Sequence, residues 1–85
     1  MTGREKAPIV AGRVAARIRE VAPPGLGRWG PTWRLVDVPS DIFMDALKDW
    51  DTEDSPTTRS KLEAASAELI EAWAEATRTW EAAGR

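Results

Sequence analysis

The chain has 85 residues, with 12 Lys and Arg against 14 Asp and Glu, and no His or Cys. A chain of this length forms one small domain that buries only about 60% of its extended surface, so a second copy or a partner would add stability. The missing His and Cys remove the commonest general base, disulfides, thiolate chemistry and zinc-thiolate sites.

The net charge of -2 hides an asymmetry: residues 1–22 carry +3, residues 23–40 carry +1, and everything from Asp41 onward carries -6. The basic end either packs beside the acidic one or offers an arm to an anionic partner. No run of apolar residues approaches the roughly 18 needed to span a bilayer, and the N-terminus has no secretory pattern. The expectation is therefore a cytoplasmic protein with no membrane association.

Taken in order, residues 1–7 are charged and are expected to form a flexible segment ahead of a single helical domain over 8–85. Pro8 suits a first helical turn, and a helix over about 8–22 places Val10, Val14, Ile18 and Val21 on one side, flanked by Ala11 and Ala15. Arg13, Arg17 and Glu20 share an adjacent exposed band. Gly12 costs this helix about 1 kcal/mol against Ala, or marks a close helix crossing. Pro23 and Pro24 end it.

Residues 23–31 contain too many Pro and Gly for a repeating element and are expected to form a loop. Gly25-Leu26-Gly27 follows no strand and lacks the Lys and Ser or Thr of a phosphate loop. Trp29 and Trp33, in or just after this loop, either close the core from one end or anchor a partner. Arg34-Leu35-Val36-Asp37-Val38 alternates like a strand that Pro39 closes. It is the only such run, so it pairs with its own copy or a partner, or stays extended.

Ser40 is then expected to cap a short helix over about 40–50, with Ile42, Phe43, Ala46, Leu47 and Trp50 as its apolar face. The acidic run from Asp49 to Asp54 raises the question of a calcium loop, but the pattern needs Gly where Asp54 stands and an acid where Ser60 stands. A solvated turn is expected, with no metal. Ser55 followed by Pro56 marks a helix start, and the longest helix spans about 56–83. Leu62, Leu69, Ala76 and Ala83 repeat every seven residues, and Ser66, Trp73 and Trp80 form a second series offset by four, together making one seam. Ala65 and Ala72 border it. Lys61, Glu68, Glu71, Glu75 and Arg78 fall on the solvated side, and Gly84 suits the left-handed helix stop.

The expected fold is an all-α domain of three helices, two shorter ones packed on the long C-terminal one, with at most one short strand. Ser40, Ser55, Ser60 and Ser66 have no His to activate them, so no catalysis, cofactor or small-molecule substrate is expected. The first expectation for function is a small assembly or adaptor protein, of the kind phages and mobile elements encode. It would act as a homo-oligomer or on a protein partner, through Trp29, Trp33, Leu62, Leu69, Trp73 and Trp80.

A strand, a short helix, a turn and a longer helix opening with Thr58-Arg59-Ser60-Lys61-Leu62 resembles the ribbon-helix-helix DNA-binding domain, over Trp33 to about Trp73. That resemblance implies a dimer whose paired strands enter the major groove, with Arg34 as a base reader and Arg59 and Ser60 near a phosphate at a helix N-terminus.

Overall fold

A computed structural model describes residues 6–84. It contains α1 (Ala7–Val21), a 3₁₀ turn (Leu26–Arg28), α2 (Gly30–Thr52) and α3 (Pro56–Ala82), with no strand among the described residues. The all-α architecture of three helices with the longest at the C-terminus is as expected. The flexible segment expected at residues 1–7 lies mostly outside the described residues, and Ala7 already belongs to α1.

α2 and α3 form an antiparallel hairpin. Lys61 Nζ meets Asp49 Oδ2 at 2.7 Å near the turn, and the Trp33 and Trp73 ring centroids lie 5.7 Å apart at the other end. α1 runs beside α3 in the same direction: Val10 and Val14 join the cluster of Leu62 and Trp50, and Thr77 Oγ1 donates to the Val21 carbonyl at 3.1 Å. The result is an elongated body of 50 × 20 × 16 Å.

The main core follows from the helical spacing. Val10 and Val14 of α1 meet Phe43, Ala46, Leu47 and Trp50 of α2 and Leu62, Ala65 and Leu69 of α3. Ile18 and Trp73 pack against this cluster half-buried. Toward the open end of the hairpin Leu26, Thr32, Val36 and Ala76 are also buried. The solvated face expected for α3 is present, since Lys61, Glu68, Glu71, Glu75 and Arg78 are all exposed.

The middle of the chain departs from the expectation. Residues 34–38 are not a strand; they belong to α2, which begins ten residues before Ser40 and continues through Pro39. Two things favour a helix here. Pro31 sits in the first turn, where its missing N–H costs nothing, and the Thr32 hydroxyl donates to the Leu26 carbonyl at 2.7 Å, tying that turn to the preceding 3₁₀ segment. An extended chain would put Val36 and Val38 on one face, whereas the helix separates them: Val36 is fully buried and Val38 is 65% exposed. Pro39 cannot donate to the Leu35 carbonyl, a defect worth about 3 kcal/mol in a helix interior. Burial of Thr32 and Val36 before it and of Phe43 and Ala46 after it, at helical spacing, holds the helix through the defect. Ser40 therefore caps nothing, and Ile42 leaves the predicted apolar face, 43% exposed.

Gly12 marks no close crossing, because a Cβ placed on it would meet no atom within 4 Å. Gly25 does need its lack of a side chain: its φ of 94° lies in the left-handed region, at the bend that turns the chain from α1 toward α2.

Candidate functional site: the groove between α1 and α3

α1 has 15 residues and α3 has 27, or about 22 Å against about 40 Å at 1.5 Å per residue. Over the N-terminal half of α3 the two helices flank an open cavity of about 540 Å³. Its apolar lining is Val10 and Val14 from α1, Trp50 from α2, and Leu62 and Ile70 from α3. Arg59, Glu63, Ser66 and Ile70 recur at four and three residues, which sets them along one edge of α3, while Arg13 and Arg17, four apart, stand along α1. The rim thus carries three guanidinium groups and the carboxylates of Asp54 and Glu63.

One corner of the groove is built by hydrogen bonds. Asp54 Oδ1 accepts from Trp50 Nε1 at 3.1 Å and from Arg59 Nε at 2.6 Å, and Asp54 Oδ2 accepts from an Arg59 terminal nitrogen at 3.0 Å. The fork of the guanidinium matches the carboxylate, so Arg59 is held in one orientation at the mouth. The hydrogen bond and then the charge of Asp54 raise the Arg59 pKa further above its already high ordinary value. Arg17 pairs with Glu20 on its own helix at 2.6 Å. Ser66, at the groove wall, donates its hydroxyl to the Leu62 carbonyl at 2.7 Å, a local bond that leaves its proton committed.

The acidic run at the hairpin turn is divided among cations rather than gathered. Asp54 engages Arg59, and Asp49 engages Lys61, whose pKa the hydrogen bond to Asp49 raises. Among the described residues no group of three Asp or Glu is placed to hold a metal ion.

The residues expected to meet a partner are dispersed. Leu62 and Leu69 are buried in the core, because the seam of α3 is covered by α1 and α2. Trp33 and Trp73 do come together, their rings edge-on at 83°, and Trp33 Nε1 donates to the Gly27 carbonyl at 2.9 Å. Trp33 is still 45% exposed, and Trp29, Trp73 and Trp80 are half-buried. The Trp33 and Trp73 pair packs toward the open end of the hairpin. The strand on which the DNA-binding alternative rests is absent among the described residues: Arg34 lies in the first half of α2, while Arg59 and Ser60 lie near the start of α3.

Sequence reasoning missed Arg13, Arg17, Trp50, Asp54, Glu63 and Ile70 as one site. Its only trace was the exposed band of Arg13 and Arg17 beside Val10 and Val14; which edge of α3 that band would meet depends on how the helices pack. Comparison with protein-family models, with curated proteins and with solved structures found no match.

Proposed function

We propose that this chain is a small non-catalytic adaptor or assembly protein that holds a partner protein in the groove between α1 and α3. What supports this is the combination of an apolar floor, made by the outer edges of core residues such as Trp50 and by half-buried Ile70, with a rim of Arg13, Arg17 and Arg59. Apolar pockets rimmed by arginine and aromatic side chains are where protein interfaces concentrate their binding energy. The groove runs along about 16 Å of α3 between Arg59 and Ile70. It is open along that length, which suits an extended or helical peptide better than an enclosed small molecule. The long helix contributes one edge of the site, and its seam serves the protein's own core.

A photo-crosslinking residue placed singly at Arg17, at Glu63 and at Glu71 tests this in the native cell. Arg17 and Glu63 stand on opposite rims of the groove, and Glu71 is on the solvated side of α3. The expected outcome is the same protein adduct from both rim positions and none from Glu71. Equal labelling from all three positions, or none from either rim, rules the groove out as the working surface.

A further inference from the structure

α2 carries a second apolar feature along its side, between its buried face and its charged outer face. Leu35 is half-buried, Val38 is the most exposed large apolar residue among those described, and Ile42 is exposed. Their spacing of three and four makes a stripe, set apart from the buried line of Val36, Phe43 and Trp50. None of the three lines the groove between α1 and α3. Along one flank of the stripe Arg34, Asp41 and Lys48 recur every seven residues, and all three are exposed. On the other side of the stripe the corresponding positions, Thr32, Pro39 and Ala46, carry no charge and lead into the chain's own core, where Thr32 and Ala46 are fully buried.

We propose that a second copy of this chain docks on this stripe, α2 against α2, antiparallel and in one register. Charge complementarity selects the occupant and the direction. In a parallel pair each charged flank would face the edge where the partner's Thr32, Pro39 and Ala46 turn into its own core, and would meet no charge there; in an antiparallel pair like flanks face each other, so Arg34, Asp41 and Lys48 of the two copies meet. With Leu35 against the partner's Val38, Arg34 stands opposite the partner's Asp41, and two-fold symmetry makes that contact twice. Shifted by one heptad, with Val38 against the partner's Ile42, Arg34 meets the partner's Lys48 and Asp41 meets its own copy. Like charges oppose that register. Among the described residues neither Arg34 nor Asp41 belongs to an ion pair. The patch is three residues long, which fits two helices that cross rather than a long coiled coil. Crossing also keeps the two acidic faces of α3, with Glu68, Glu71 and Glu75, apart in solvent.

Sedimentation equilibrium of the full chain from about 10 µM to about 1 mM, the range of small interfaces, tests the proposal. The parent should form a dimer across that range. Val38→Asp should weaken it at least about tenfold while leaving the helical circular dichroism unchanged, because Val38 is exposed in the single chain. Arg34→Asp and Asp41→Arg should each weaken it by roughly three- to tenfold, and the double exchange should restore the parent value to within about threefold. A monomeric parent over the whole range overturns the proposal and leaves the stripe for a different protein. So does a dimer indifferent to Val38→Asp, and a double exchange that fails to restore association overturns the antiparallel register and the proposal with it. The groove crosslinks described above are read at separate residues, so either result can fail without the other.

Discussion

The two ends of the α2–α3 hairpin are closed by different means. At the turn, apart from the Lys61–Asp49 pair, the bonds are local in sequence: Ser55 Oγ accepts from the Thr58 amide at 3.2 Å, the Ser55 amide donates to Thr58 Oγ1 at 2.9 Å, and Asp54 takes both Trp50 and Arg59. At the open end they join separate elements: Thr32 to Leu26, Trp33 to Gly27, Trp33 against Trp73, and Thr77 to Val21. A turn made of near neighbours announces itself in the sequence. An end made by packing does not, and the largest misplaced boundary, the start of α2 at Gly30 rather than Ser40, lies there.

The largest effect that separates the ends comes from Trp50. Its side chain is buried between all three helices and its N–H is bound to Asp54, so Trp50→Ala removes core volume and a hydrogen bond at once. The expected loss is about 3 to 5 kcal/mol by urea denaturation, much of the stability of a domain this small. A loss under about 1 kcal/mol would mean that the turn is held by its polar bonds alone. Pro39→Ala acts in the opposite direction at the other half of α2. It supplies an N–H that can reach the Leu35 carbonyl and removes the ring clash, so a gain of about 1 to 3 kcal/mol is expected. Destabilisation, or a loss of helical circular dichroism, would show that residues 34–38 do not run on as helix.

These two substitutions mark where the sequence was legible. Ser55-Pro56, the alternation of Glu68, Glu71 and Glu75 with Leu62, Leu69 and Ala76, and the face of Phe43, Ala46, Leu47 and Trp50 gave the long helix, its buried side and the packing of α2 on it. Pro39 misled because a proline is a strong local signal for a break, and the Val36 and Val38 alternation before it reads as a strand. What overrode both is burial of Thr32 and Val36, a property of the assembled hairpin. The groove was illegible for a related reason: Arg13 and Arg17 are visible in α1, but the edge of α3 they face is decided by packing.

Trp33→Ala sharpens the same contrast with a smaller effect. Its ring is 45% exposed, so the loss is limited to the edge contact with Trp73 and the bond to the Gly27 carbonyl. An aromatic pair contributes about 0.5 to 1.5 kcal/mol and a hydrogen bond a similar amount, so about 1 to 2 kcal/mol is expected. The loss should fall well short of that for Trp50→Ala. Equal losses would remove the distinction between a core ring and a closing ring.

The smallest expected effect is at Ser55, and the reciprocal cap explains why. Ser55→Ala removes the acceptor of the Thr58 amide, one of the free N–H groups at the start of α3. The other half of the pair survives, since the backbone of residue 55 still donates to Thr58 Oγ1, which itself donates to the Glu53 carbonyl at 2.7 Å. The cost should therefore sit near the lower end of the usual range for a lost cap, about 0.5 to 1 kcal/mol. Thr58→Ala removes the acceptor of the Ser55 amide and the donor to Glu53, so it should cost at least as much. Because the two hydroxyls also lie 3.2 Å apart, each single variant loses that shared contact, and the double variant should cost less than the sum of the singles, a coupling that urea melts of all four proteins measure directly. Strict additivity would mean that each side chain acts alone, and that the turn is set by the Asp54 and Arg59 fork instead.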